Sequence, residues 1–481
     1  MIRVKGAQGP LLELKVLHDL IEQSEMDLIG GRRETLLSCT VERLPSGLVA
    51  GYSAPMRQPH NEVDASEVEA GDPGLAPLRT IDLFAGCGGL TQGFVDAKCG
   101  GRPVYRPVAA VELDRAAAAT YAVNFTEKFG AHIHQGDIAD WVDRPGGLPE
   151  ADIVLGGPPC QGFSRLGNQD PNDARNQLWR HYLDVVSTVR PMAFVMENVD
   201  AFRNSPEFEL LRREVRDGGA LSEYFIYDDL LNAADYGVPQ RRFRAIVVGI
   251  RKDLRSAVDS ARLIDDLTDM ELQAALIPTP AAGPERTVWQ TISDLVLRKL
   301  SSDLPTREVS ANGRKIAGPF RMDELHLRRN GIKPISMARY RSIPEGGNRF
   351  DIPFELLAPC WKKHKSGSAD VMGRLHRDKP SVTIRTEFFK PEKGRYLHPW
   401  LHRPITHLEA ARLQGFPESF QWCGSRSDIA RQIGNAVPVG LGRAIAEHLA
   451  PLLLAQRDLQ ATTTVKAPRP PKRRRKLAAA A

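Results

Sequence analysis

Residues 80–86, TIDLFAG, read as a short buried strand running into a glycine turn, and the same arrangement recurs downstream. PVAAVELD (107–114), HIHQGDI (132–138), ADIVLGG (151–157), AFVMENV (193–199), YFIYDDL (224–230) and RAIVVGI (244–250) follow it. Most of the gaps between these runs are long enough to hold a helix. Short apolar runs separated by helix-length segments predict βαβ units and a mostly parallel, doubly wound α/β sheet. Past about residue 254 the pattern loosens into a Pro- and Gly-rich, basic stretch. Helical periodicity returns at HLEAARLQGF (407–416) and VGLGRAIAEHLAPLLLAQ (439–456). The expected organisation is therefore a large α/β domain over 78–254, a small basic insert over 255–397, and a return to the large domain over 398–458. Residues 1–77, with the amphipathic stretch Leu11–Ile21 and an acidic linker, form an N-terminal extension. Residues 459–481 form a basic, disordered tail.

Composition agrees with this division. Of 481 residues, 42% are apolar and 26% charged, the balance of an ordinary globular chain, which excludes collagen-like, disordered and disulfide-scaffold classes. No run of 18 apolar residues is present and no signal pattern opens the chain, so no membrane role is expected. Six scattered cysteines (Cys39, Cys87, Cys99, Cys160, Cys360, Cys423) include no CxxC pair. A reducing, cytoplasmic setting without a metal site is therefore the expectation. The net charge of +6 is unevenly placed: residues 301–400 sum to +9, residues 1–80 to −4, and the tail from Lys466 to Lys476 holds seven basic residues and no acid. A local field of that size suits a polyanion such as nucleic acid.

Chemistry-bearing residues gather where the predicted strands end. After the first run come Phe84, Ala85, Gly86, Cys87, Gly88, Gly89 and Leu90, a turn in which glycines let the backbone approach a ligand. It is neither GxGxxG nor a P-loop. Glu112 closes the second run, where a carboxylate can bind ribose hydroxyls, and Asp137 and Ile138 close the third. With no pyrophosphate signature, S-adenosylmethionine is a better expectation than NAD. The fourth run leads into GGPPCQGFS (156–164), where two prolines stiffen a turn that aims the Cys160 thiol. Most lone cysteines are small core residues, but this one ends a strand in a loop that no core would require. Glu197 and Asn198 end the fifth run, so an acid and a nucleophile are expected side by side. In QRRFR (240–244), alternation sends Arg242 and Arg244 to one face.

Taken in order, DLFAGCGGL, VEL, GDI, GGPPCQGFS, ENV, QRRFR, RPITHLEAARLQGFP and QIGNAVPVG closely resemble the cytosine-C5 DNA methyltransferases, above all bacterial modification enzymes, over roughly residues 78–455. The resemblance implies that Cys160 attacks C6 of a cytosine turned out of double-stranded DNA. It gives Glu197 a contact with N3 of the ring, Asn198 the ordering of its loop, and Arg242 and Arg244 the flipped nucleotide. Phe84, Ala85, Gly86, Gly88, Gly89, Leu90, Glu112, Asp137, Ile138, Pro159, Leu178, Asn435, Ala436 and Val437 match the cofactor pocket, and Cys87 is structural. Residues 255–397 correspond to the target-recognition domain. Lys362, Lys363, Lys365, Arg374 and Arg377 are expected to contact phosphates, and Gln161 and Ser164 to face DNA. Within the insert, SVTIRTEFFKPEKGRYLHP (381–399) reads as strand-like. A monomer is expected, in a restriction-modification system whose endonuclease shares the target site. Two rival readings carry their own signatures. The tRNA-directed branch usually lacks so long an insert and carries a Cys-Phe-Thr signature not seen here. A DNA-binding regulator on a spent methylase fold would have lost Cys160 or Glu197.

Overall fold

The computed structural model describes residues 76–159, 178–254, 263–311, 313–363 and 366–466. The expectations for residues 1–75, Cys160, Gln161, Ser164, Lys365 and residues 467–481 lie outside the described residues. Residues 459–466, expected to begin the disordered tail, instead continue the helix that starts at Val439. Seven strands form one sheet: β1 (Leu78–Leu83), β2 (Tyr105–Glu112), β3 (His132–Gln135), β4 (Ile153–Gly156), β5 (Ala193–Asn198), β6 (Tyr224–Asn232) and β7 (Phe243–Arg251). Their order is β3-β2-β1-β4-β5-β7-β6, parallel from β3 to β5, with β7 antiparallel to both of its neighbours. Each of the seven apolar runs supplies one strand. The chain winds outward from β1 through β2 to β3, then crosses back to lay β4 on the other side of β1. That reversal opens a crevice at the carboxyl ends of β1 and β4, the place where open α/β sheets bind ligands.

β1 is buried along nearly its whole length, as a strand covered on both faces must be. Its register with β2 shifts between Thr80 and Ile81, beside Pro107, which has no N–H to give the ladder. Ile81, Leu83, Val111, Val154 and Met196 pack one face of the sheet against α3 (Ile138–Val142), α4 (Leu178–Val189) and α5 (Pro206–Glu214). The opposite face packs against α1 (Gly89–Asp96), α6 (Asp269–Leu276) and α9 (Val439–Lys466). The close fit of α1 on α9 needs glycine: a Cβ at Gly93 would lie 2.6 Å from the Val439 carbonyl oxygen. Following β2 comes α2 (Arg115–Tyr121), an alanine-rich helix capped by Asp114, which accepts from the Ala117 N–H at 3.0 Å.

Two expectations about the insert change. Ile264, Leu272, Leu276 and Ile277 are buried in the core shared by the sheet and α9, so the first part of the 255–397 stretch packs as large domain. Residues 381–399 form no strand beyond isolated bridges. Their backbone is instead paired with the 239–242 segment: Ser381 N–H donates to the Pro239 carbonyl and Arg241 N–H to the Ser381 carbonyl. A second core holds the insert to the returning chain. Phe320, Leu375, Ile384, Phe388 and Tyr396 pack there against α7 (His407–Leu413), α8 (Arg426–Asn435) and Trp422. Under it lies a buried ion pair, Arg403 bidentate to Glu409 at 2.7 and 2.8 Å.

Candidate active site

A cavity of about 540 Å³ spans the crevice between β1 and β4. Every strand from β1 to β5 contributes to its wall through the residue that ends it or follows it. The turn after β1 is held by Glu112 at the end of β2, which accepts from Gly86 N–H at 2.8 Å on one oxygen and from Asp114 N–H at 2.7 Å on the other. Burial raises the Glu112 carboxyl above the usual carboxylate range, opposed by those two N–H groups. Phe84, at the start of the turn, has φ +57°, a conformation that costs a non-glycine residue energy and is typical of ligand-binding turns.

Phe84, Ala85, Gly86, Gly89, Leu90, Glu112, Asp137, Ile138, Pro159, Leu178, Asn435, Ala436 and Val437 all line this cavity. Gly88 does not. Its role is conformational, since it has φ +90° and a Cβ there would lie 2.4 Å from the Phe125 ring. Gly89 lets the last wall close, because a Cβ there would meet the Val437 carbonyl oxygen at 2.6 Å. Asp137 caps α3, accepting from Ala139 N–H at 3.0 Å. Cys87 also lines the cavity but is buried, and burial raises its thiol far above the ordinary range.

At the β4–β5 end Glu197 and Asn198 meet the Gly157–Pro158 turn. The Asn198 side chain, buried, donates to the Pro158 carbonyl at 2.9 Å and accepts from Val199 N–H at 2.9 Å. It thus fixes the turn that leads to Cys160. Arg244 meets the Glu197 carboxylate at 2.7 Å, and a Cβ on Gly157 would lie 3.1 Å from the other Glu197 oxygen.

Arg242 departs from its expected role. It lines the cavity but is 2% exposed, and its guanidinium donates to the Ile384 carbonyl at 3.0 Å and the Gly434 carbonyl at 3.1 Å. Burial, with Arg244 nearby, lowers its pKa to about 9. It is a positioning residue that ties β7 to the insert and to α8. Gln240 works beside it, accepting from Ile384 N–H at 2.8 Å and donating to the Gln414 side chain at 2.8 Å.

Arg374 also departs from expectation. It is 2% exposed and donates to the carbonyls of Ile343, His398, Leu401 and Tyr340 at 2.6–2.9 Å, so it holds the insert together and does not face DNA. Arg377 pairs with Glu345 at 3.6 Å and lies over the Trp400 ring. Lys362 and Lys363 are exposed on the short helix Pro359–Lys363, with Lys362 over the Phe354 ring at 4.8 Å.

Sequence reading missed Asp82, Leu113, Asp114, Arg431, Gln432 and Gly434 as cavity residues. Asp82 accepts from the Thr91 hydroxyl at 2.6 Å, and burial, with the Glu112 charge adding to it, pushes its pKa up to about 7. Arg431 is neutralised by Asp114 and Asp428, each at 2.8 Å. The cavity is therefore acidic along β1, β2 and β3, through Asp82, Glu112, Asp114 and Asp137. Such an acceptor set suits hydroxyls, an ammonium or a sulfonium, and offers little to a pyrophosphate.

A doubly wound sheet of this order, with an acidic cavity across its switch point, defines an S-adenosylmethionine-dependent methyltransferase. Residues 78–450 match the family of C-5 cytosine-specific DNA methylases, and the chain belongs to that family as a DNA (cytosine-5)-methyltransferase. It is 31% identical to the type II methyltransferase M1.HphI of Haemophilus parahaemolyticus, over 77% of this chain and 86% of that one. It is likewise 31% identical to the type II methyltransferase M.NgoFVII of Neisseria gonorrhoeae, over 75% and 83%. Among solved structures, a DNA modification methyltransferase encoded within an Escherichia coli prophage is similar, with TM-score 0.54 and 26% identity over 78% of this chain and 99% of that one.

Proposed function

We propose that the enzyme methylates a cytosine turned out of a specific double-stranded DNA sequence, through a transient bond between Cys160 and C6 of the ring. Thiolate character is needed, because a free thiol with pKa about 8.5 is mostly protonated at neutral pH. As the sulfur bonds to C6, the C5–C6 double bond opens and its electron pair makes C5 a nucleophile. Glu197 contacts N3 of the ring, and a proton shared between the two offsets the negative charge that spreads into the ring. Bound S-adenosylmethionine supplies an electrophilic methyl group. C5 takes the methyl, leaving the cofactor as its neutral thioether. A water then takes the C5 proton, the electron pair returns to the ring, the sulfur–C6 bond breaks and the thiolate is restored. Arg244 keeps the Glu197 carboxyl in place, and Asn198 keeps the turn before Cys160 in place.

Glu112 takes the ribose hydroxyls, Asp137 and Ile138 border the base, and Phe84 with Asn435–Val437 close the cavity around the cofactor. The basic insert reads the target, with Lys362, Lys363 and Lys365 on phosphates and Gln161 and Ser164 toward the duplex. The type II names of the relatives support a role protecting DNA from an endonuclease of the same specificity.

The observation that carries this reading is the double tether at the β4–β5 end, Asn198 on Pro158 and Arg244 on Glu197. The test is DNA carrying 5-fluorocytosine, whose C5 fluorine cannot leave as a proton does. Wild type should give an adduct stable on a denaturing gel, and Cys160→Ser should give none while still binding DNA. An adduct persisting in the variant would place the nucleophile elsewhere. Bisulfite sequencing of DNA from cells expressing the enzyme identifies the target sequence.

A further inference from the structure

The flipped nucleotide brings a phosphate to the cavity, yet each arginine in the cavity wall already holds an internal partner. Arg242 is committed to two carbonyls, Arg244 to Glu197, and Arg431 to Asp114 and Asp428. Just behind the wall, the backbone at 385–386 presses on the cavity residue Gly434: a Cβ on Gly434 would lie 2.5 Å from the Arg385 carbonyl carbon and 2.3 Å from Thr386 N. This stretch is held firmly. Ile384, 0% exposed, is gripped on its N–H by Gln240 and on its carbonyl by Arg242, and the Thr383 hydroxyl donates to the Arg241 carbonyl. The next side chain, Arg385, is exposed and carries no ion pair among the described residues. A rigid backbone just behind the cavity wall that carries an exposed guanidinium without an ion pair is preorganised for phosphate.

We infer that Arg385 binds a DNA phosphate flanking the target cytosine. This inference rests on the base-flipping reading above and adds to it the group that receives the backbone of the flipped nucleotide. It also gives the buried Gln240–Arg242 pair a purpose: that pair sets the position of Arg385 relative to the cavity, so the insert delivers the phosphate and the base together. Lysine at 385 keeps the charge but loses the planar, two-pronged geometry, and glutamine loses the charge.

The test neutralises each side of the contact in turn. Duplexes carry the target site with a methylphosphonate in place of the phosphate 5′ or 3′ of the target cytosine, or at a remote position. Equilibrium binding is measured at fixed salt for wild type, Arg385→Gln and Arg385→Lys. Wild type should lose about tenfold in affinity at one flanking position, roughly 1.4 kcal/mol. Arg385→Gln should show the same loss on ordinary DNA and no further loss on the modified duplex, and its log–log salt slope should fall by about 0.9. Arg385→Lys should recover part of the affinity. S-adenosylmethionine affinity should be unchanged in both variants, which certifies the fold. If Arg385→Gln binds ordinary DNA as wild type does, or still loses tenfold on neutralisation, Arg385 is not the phosphate ligand. Failure of the base-flipping reading would be seen separately, as wild type giving no adduct on 5-fluorocytosine DNA.

Discussion

Replacing Glu112 by alanine perturbs the cavity in two ways whose sizes can be set from its contacts. The carboxylate takes the N–H groups of Gly86 and Asp114 at 2.8 and 2.7 Å, so its loss leaves both donors unpaired at the edge of the cavity. Water can reach part of that edge, and each lost bond should cost about 1 kcal/mol, or about 2 kcal/mol of stability together. The cofactor then loses a charge-assisted bond to its ribose, worth about 1.5–3 kcal/mol, and meets a turn no longer held at Gly86. Calorimetry should therefore show S-adenosylmethionine binding weakened by about 10- to 150-fold. Glu112→Gln keeps one acceptor oxygen and should fall between alanine and wild type. DNA binding without cofactor should be unchanged in a gel-shift assay, since Glu112 lies on the cofactor side of the cavity. Wild-type cofactor affinity in Glu112→Ala would refute the assignment of the β2 end to the ribose and leave the residue a turn support only.

Two further outcomes concern buried charge. Burial works against the Glu409 carboxylate, but the Arg403 ion pair more than offsets it and holds the pKa well below the usual range. Arg403→Met should therefore cost about 3–5 kcal/mol in urea unfolding by stranding that charge, and adding Glu409→Leu should restore much of the loss. Asp82 has the opposite sign: its pKa rises from 3.8 to about 7 on folding, so the folded state resists ionisation and stability falls as pH climbs from about 4 to 7. Asp82→Asn should lack that fall, seen as a smaller drop in urea midpoint between pH 5 and pH 8 than in wild type. An equal drop in both proteins would mean that Asp82 is ionised in the native state.

Much of the site was legible because each strand announces its own end. TIDLFAG, VELD and HIHQGDI pass from apolar alternation to a glycine or carboxylate within one or two residues, and the topology then gathers those ends in one crevice. The residues that were missed carry no such local mark. Asp82 sits inside a strand, where alternation alone does not show that it points at Thr91. Arg431 and Gln432 sit on a helix, where they read as ordinary surface polar residues. The misread arginines share one cause. A guanidinium has five donors, and a sequence does not show whether carbonyls or phosphates receive them. Arg242 and Arg374 give theirs to the protein backbone, although the resemblance set one on the flipped nucleotide and the basic insert suggested a phosphate for the other.

The cavity is walled by Asp82 and Phe84 and also by Asn435, Ala436 and Val437, about 350 residues later in the chain. A nascent polypeptide can lay down all of β1 to β5 and still have no closed pocket, because the last wall is the final turn before α9. The enzyme therefore completes its cofactor cavity only after synthesis has passed residues 255–397. The same long closure links ligand occupancy to global stability, since whatever fills the cavity binds only the state in which both distant segments have met. Saturating cofactor should accordingly protect α1 and α9 together from hydrogen exchange, as one cooperative unit.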